Sequence, residues 1–294
     1  MRRSRATWVA WIFAGPALAL IAVFFLLPVL MALLLSITDF DLYALADMRQ
    51  LRFVGLQNYL ALLRSAEFWN ALGNTLYFVL LGVPLSLGLS LLCALLLHAA
   101  AARVQGFFRT AVFAPVVATM VAVAVIWRYL LHTRYGWVNH LLAQIGIAPV
   151  DWLGDPRWSM PAIVLFAVWK NFGYNAVILL AGLQGIPRDL YEAAAMDGAG
   201  AWQRFRRVTL PLLGPTLSMV GILTVTGYFQ LFGEPYVMTQ GGPARSTVSV
   251  LYLMYEEGFK WWNLGSASAV AFLLFVLMMV FTGALLALRR WRRW

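Results

Sequence analysis

Apolar residues fill this chain in long runs, with only short polar stretches between them. A helix needs about 20 apolar residues to cross roughly 30 Å of bilayer hydrocarbon. Six windows meet that length: 8–35, 71–97, 110–131, 161–183, 213–238 and 266–288. The pattern predicts an all-α integral membrane protein with six transmembrane helices. Arg2, Arg3 and Arg5 precede the first window much as in a signal peptide. Its apolar run exceeds the about 7–15 residues of a cleavable core, however, so it is read as a retained span. The loops carry shorter apolar stretches at helical spacing: FVGLQNYLALL within 36–70, GWVNHLLAQIG within 132–160 and TQGGPARSTVSVLYLMYEEGF within 239–265. These predict half-helices lying along one membrane face.

Six spans put both termini on the same side, and charge says which. The N-terminus, 98–109, 184–212 and the tail from Arg289 hold 13 basic and three acidic residues, whereas the other three loops hold seven basic and eight acidic. The positive-inside rule makes the first group, and so both termini, cytoplasmic. The net charge of +10 follows from this asymmetry and from attraction to an anionic leaflet, so nucleic acid is not an expected partner. The tail RRWRRW (289–294) reads as an interfacial anchor. Composition agrees: 62% hydrophobic, 12% charged and a mean hydropathy of +0.78 lie far from soluble domains. No linker or repeat divides the chain, so a single transmembrane domain, 1–294, is expected. Cys93 is the only cysteine, which leaves neither a disulfide framework nor a thiolate metal site.

The loop at about 186–211 differs from the others. Ile186-Pro187 can open a helix, and Asp189 and Glu192 place negative charge in its first turns, where the helix dipole favours it. Asp197-Gly198 and Gly200 then break the helix, after which Trp202 to Thr209 can be helical again with Arg204, Arg206 and Arg207 near its end. A short helix, a glycine turn and a second short helix, both outside the bilayer, are expected. On composition alone such a loop suits lipid headgroups as well as a protein, and Ala193, Ala194 and Ala195 offer a small-residue face for a close-packed partner.

Catalytic motifs are missing from the sequence. A phosphate-cradling loop needs G-x-x-x-x-G-K-[ST], and neither lysine, Lys170 in WKN or Lys260 in FKW, follows a glycine. His98, His132 and His140 form no H-E-x-x-H, and no G-x-S-x-G occurs. The chain is expected not to be an enzyme and to bind no cofactor.

Glu192-Ala193-Ala194, three residues, Gly198, nine residues and Val208-Thr209-Leu210-Pro211 together resemble the EAA loop of permease subunits in bacterial ABC importers, EAA-x3-G-x9-I-x-L-P. Val208 stands where that pattern has Ile. Other stretches are similar to the carbohydrate branch, the permeases of maltose-, trehalose- and glycerol-phosphate-like systems. They are VGLQNY (Val54–Tyr59), Asn74-Thr75, VWK (Val168–Lys170), AGLQGIP (Ala181–Pro187) and TQGGP (Thr239–Pro243). The resemblance covers nearly the whole chain. It implies a type I importer permease fold, multi-pass in the bacterial inner membrane. The implied partners are a second, usually different, permease subunit, two cytosolic ATPase subunits carrying ATP and Mg, and an extracytoplasmic solute-binding protein. Glu192, Ala193, Ala194, Asp197, Gly198, Leu210 and Pro211 would then form the coupling segment, with Glu192 paired to a basic residue of the ATPase and Gly198 making the turn.

Polar side chains inside spans are costly and mark pathways or sites. WKNFGYN (169–175) puts Lys170 and Tyr174 on one face of the fourth span and Asn171 and Asn175 on the adjoining face. In the fifth, Thr226, Gln230 and Glu234 fall at i, i+4 and i+8, and Thr224 and Tyr228 form a second pair. In maltose-type permeases these two spans supply the substrate contacts, and Trp169 and Tyr174 match aromatic contacts there. The candidate contacts are therefore Trp169, Lys170, Asn171, Tyr174, Asn175, Tyr228, Gln230 and Glu234. Interhelical hydrogen bonding is the competing role for each polar residue among them. Lys170 and Glu234 can also pair with one another, and Arg128 can snorkel at the outer interface. An ATPase-independent carrier or channel is the alternative function, and it usually shows paired broken helices from internal repeats.

Overall fold

The computed structural model describes residues 2–47, 51–99 and 101–291. Of the expected anchor RRWRRW, 292–294 lie outside the described residues. α1 (Arg2–Ile21) passes through a π turn (Ala22–Leu26) into α2 (Leu27–Ser36). There follow α3 (Leu42–Ala46), α4 (Gln57–Arg64), α5 (Ala66–Ala99), α6 (Ala102–Val117), α7 (Met120–Leu130), α8 (Trp137–Gln144) and α9 (Pro156–Gln184). The remainder comprises α10 (Arg188–Met196), α11 (Ala201–Arg204), α12 (Leu210–Phe229), α13 (Gly233–Met238), α14 (Val250–Tyr255) and α15 (Leu264–Trp291). Among the described residues there is no strand, only one isolated bridge between Thr38 and Phe53. The three half-helices expected in the loops correspond to α4, α8 and α14.

Among the described residues, five helices are long and apolar enough to cross a membrane, or six if one bent pair counts as a span. That pair corrects the sequence reading of 110–131. Gln105–Val117 and Met120–Leu130 meet at an angle of 96°, because Ala118 and Thr119 are extended, with ψ of 141° and 134°. The fifth span also departs from expectation. It starts at Ala201, since α11 continues through a π turn (Phe205–Thr209) into α12 without a break. It ends at Phe229 rather than 238, and Gly233 and Pro235 open the separate helix α13. The second short helix of the 186–211 loop is thus the first part of a span.

The chain forms two compact units, Met1–Phe68 with Leu253–Phe275 and Trp69–Tyr252 with Val276–Trp294. In the first, the side chains from Trp11 to Leu34 are largely exposed, as suits a helix surrounded by lipid or by another subunit. VGLQNY closes its end: Asn58 Nδ2 donates to the Ser36 and Thr38 carbonyls at 2.9 and 2.8 Å, and Tyr59 Oη donates to Ser36 Oγ at 2.8 Å. The two Asn58 bonds satisfy carbonyls left free where α2 ends.

The second unit is built around α9, fourteen of whose residues are buried. α6 and α12 pack on α9, and α13 packs on α7. The α6–α9 crossing is tight: a Cβ at Gly173 would sit 2.0 Å from the Val112 carbonyl oxygen. One end of the unit holds a core of Ala94, Leu97, Leu179, Leu180, Leu183, Ile186, Leu213 and Val220. Elsewhere Asn74-Thr75 organises the TQGGP loop. Asn74 Nδ2 donates to the Arg245 and Val248 carbonyls at 3.0 and 2.9 Å, and Thr75 Oγ1 accepts the Val250 N–H at 2.9 Å.

Candidate functional site

Two features stand out in the second unit: an exposed helix–turn–helix and a cavity of mixed apolar and polar lining.

The first is the 186–211 loop. α10 opens after Pro187, with Asp189 in its first turn. Gly198 adopts φ +79°, a left-handed conformation that side chains resist. The turn is a Schellman motif, with Gly198 N–H donating to Ala195 O at 3.0 Å and Ala199 N–H to Ala194 O at 2.9 Å. Gly200 N–H then donates to Gln203 Oε1 at 3.0 Å and starts the next helix. Tyr191 Oη and Thr209 Oγ1, 3.0 Å apart, hold the two helices together, and Tyr191 packs on the core at that end of the unit. The outward residues are Glu192, Ala193, Ala195, Met196, Asp197 and Gly198, with Met196 89% exposed. Ala194 and Leu210 are half-buried and Pro211 is exposed. A knob with a small-residue surface, two acidic side chains, Glu192 and Asp197, and an apolar tip, Met196, is the result.

The second is a cavity of about 280 Å³ lined by Phe78, Val116, Asn171, Tyr174, Asn175, Leu223, Thr224, Gly227, Tyr228, Leu231 and Glu234. Five of the eight sequence candidates meet here: Asn171, Tyr174, Asn175, Tyr228 and Glu234. Tyr174 is 47% exposed, whereas Tyr228 is only 5% exposed. The Tyr228 ring stacks on Phe78 with centroids 5.0 Å apart and occupies the space left by Gly82, where a Cβ would approach to 2.4 Å. Its hydroxyl is buried beside the Ser86 side chain and makes no hydrogen bond of ordinary geometry. Asn175 Nδ2 donates to Thr224 Oγ1 at 2.9 Å and reaches Ser86 Oγ at 3.5 Å, tying α9 to α12 and α5. Asn171 Nδ2 donates to the Ala167 carbonyl of its own helix at 2.9 Å. Asn175 therefore serves as interhelical glue as well as lining.

Three candidates lie elsewhere. Trp169 packs on Trp127, ring centroids 5.4 Å apart, and not on the cavity. Gln230 is exposed at the C-cap of α12. Because the helix stops there, the stripe Thr226–Gln230–Glu234 does not exist, and Glu234 reaches the cavity from α13 instead. Lys170 Nζ donates to the carbonyls of Pro115 and Ala118 at 3.1 and 3.0 Å, and its interaction with Glu234 is a longer-range electrostatic one, not a direct salt bridge. Arg128 Nη1 donates to the Val237 carbonyl at 3.3 Å rather than only snorkelling.

Sequence reasoning missed the contribution of α5. Phe78, Gly82, Ser86 and Ser90 recur every four residues, so they share one helix face. That face carries Phe78 of the lining, the notch for Tyr228 and the serine facing Asn175, while Ser90 Oγ donates to the Phe172 carbonyl at 2.9 Å. A cavity that presents amide, hydroxyl, carboxyl and aromatic groups together can hydrogen-bond and stack on a polar solute.

Comparison with known proteins places this architecture. Residues 59–294 match the family described as "Binding-protein-dependent transport system inner membrane component". The lactose transport system permease protein LacF of Rhizobium radiobacter is 38% identical over 272 residues, 91% of this chain and 89% of that one. The trehalose/maltose transport system permease protein MalF of Thermococcus litoralis is 38% identical over 281 residues, 95% and 92% of the two chains. Among solved structures, a bacterial ABC transporter involved in the import of the acidic polysaccharide alginate superposes with a TM-score of 0.84 at 22% identity, covering 98% of this chain and 97% of that one. At that identity the likeness speaks to fold alone. The chain belongs to the inner membrane component family of binding-protein-dependent transport systems and is a multi-pass permease subunit of an ABC importer.

Proposed function

We propose that this subunit carries a sugar or sugar-like solute across the bacterial inner membrane, with the cavity between α9, α12 and α13 as part of the solute's route. The clustering of Asn171, Tyr174, Asn175, Tyr228 and Glu234 around one cavity carries the reading. Amides and hydroxyls match the hydroxyls of a sugar, and the faces of Tyr174 and Tyr228 match the apolar side of a pyranose. The relatives named for lactose and for trehalose/maltose support the same class. At about 280 Å³ the cavity lies near the lower end of ligand sites, so a second permease subunit is proposed to complete it. The 186–211 loop faces the cytoplasm and seats in an ATPase subunit that holds ATP and Mg. Glu192, Ala193, Ala194, Asp197 and Gly198 form the seated surface, and Leu210 and Pro211 lead into the span.

The test is reconstitution of this chain with its second permease, its ATPase and its solute-binding protein. Expected is ATP hydrolysis stimulated by loaded binding protein. Stimulation should disappear with Glu192→Ala, and also with Gly198→Val, which forces a β-branched side chain into a left-handed turn. Stimulation unaffected by either change would refute the coupling role.

A further inference from the structure

The break between α6 and α7 leaves backbone carbonyls free within an apolar stretch. The last four carbonyls of a helix have no intrahelical partner, and in hydrocarbon each unsatisfied group costs several kcal/mol. Thr119, the N-cap residue of α7, makes no side-chain capping bond there. The partner comes from another span: Lys170 Nζ donates to both, at 3.1 and 3.0 Å. Hydrogen bonds from a cation are stronger than neutral ones, and a cation is favoured at the negative end of a helix.

This contact is linked to the cavity on two sides. Val116, between the two clamped carbonyls, lines the cavity, and so does Asn171, next to Lys170. Gly173, one turn beyond Lys170, lets the α6 backbone approach α9. On the far side of the bend, α7 packs on α13, where Met120 closes over Gly233 next to the cavity residue Glu234. We propose that Lys170 is a positioning residue, a latch that fixes the bend of the third span and thereby sets the Val116 and Glu234 walls of the solute cavity. It acts without touching solute. The inference rests on the transport reading for its consequence but not for its geometry.

The experiment uses the assembled transporter with Cys93→Ala and nitroxide labels on Phe107→Cys in α6 and Val121→Cys in α7, both exposed positions flanking the bend. The native protein and Lys170→Arg, which keeps a charged donor, are expected to give one narrow distance peak. Lys170→Met should raise the population outside that peak at least about tenfold, as expected for losing two charge-assisted bonds, and should slow uptake while leaving solute selectivity unchanged. Lys170→Gln, a donor without charge, should fall between, and it keeps the test decisive if the Met variant does not assemble. A native distance peak in both Lys170→Met and Lys170→Gln overturns the proposal. So does altered solute selectivity with an unmoved peak, which would make Lys170 a ligand contact. If the native complex takes up no solute, the transport reading fails while the distances still decide the latch.

Discussion

The crossing of α6 and α9 allows a quantitative test with a single methyl group. In Gly173→Ala the new Cβ would lie 2.0 Å from the Val112 carbonyl oxygen and 3.4 Å from Phe113 Cα. An ordinary C···O contact is about 3.3 Å, so the helices must part by about 1.3 Å. A backbone carbonyl cannot rotate away as a side chain can. Overpacking of this kind costs up to about 3 kcal/mol, and exchanging Gly for Ala inside a helix returns about 1 kcal/mol. The net loss is about 2 kcal/mol, which at an unfolding entropy of about 2.1 cal/mol/K per residue lowers Tm by about 3 °C. Gly88→Ala is the matched control, because a Cβ there meets nothing within 4 Å, and its Tm should hold or rise. Thermal unfolding of the purified protein in detergent, followed by intrinsic fluorescence, measures both. Equal Tm values for the two variants would refute the close crossing and the arrangement of α6 that depends on it.

Removing the hydroxyl in Tyr228→Phe should leave Tm unchanged or slightly higher, since the buried group lacks a well-formed hydrogen bond, while uptake weakens; a Tm drop of several degrees would show a firm bond to the neighbouring Ser86. Asn74→Ala deletes the bonds to the Arg245 and Val248 carbonyls, so hydrogen exchange at 239–250 should speed up with little change in α9, and unchanged exchange would contradict the bracing role. Glu257, outside the spans, has its carboxyl pushed up, mainly by burial and further by the nearby Glu67 and Glu256 charges, against hydrogen bonds from Ser266 and Asn263. Its folded form therefore holds the proton to higher pH than the unfolded form, and the stability this adds is complete below the unfolded value of about 4.3 and lost as pH rises through the folded one. Glu257→Gln should flatten that decline in a Tm-versus-pH series, and parallel curves would refute it.

The sequence made legible whatever depends on local pattern. Apolar run length located the long helices, and the alternation of Pro, acid and glycine at 187–198 foretold the helix and its turn. The bend at Ala118-Thr119 was hidden because its cause is remote: FAPVVATM carries no stronger breaker than Pro115, and the cation that satisfies the open carbonyls is 52 residues away at Lys170. The end of α12 was readable, since Gly233 and Pro235 are ordinary helix-opening signals, yet hydropathy alone ran the span through them. Ser249 Oγ caps the freed Leu231 carbonyl, a tertiary contact that periodicity does not report. The cavity was legible on α9, where polar residues stand out against apolar neighbours. It was not on α5, whose glycine and serines pass as ordinary small residues of a membrane helix until Tyr228 and Asn175 are seen to fill and bond to that face.

Gly227 offers the most direct measurement of whether the cavity carries the solute. It lines the cavity, and a Cβ there meets nothing within 4 Å, so Gly227→Phe projects a ring into open space. Gly214→Phe, on the same helix, also meets open space but is not part of the lining. Uptake of radiolabelled solute into proteoliposomes bearing the complete transporter separates the two variants. Loss of uptake in Gly227→Phe with near-native uptake in Gly214→Phe is the expected result, and full uptake through Gly227→Phe would contradict the assignment of this cavity to the transport route.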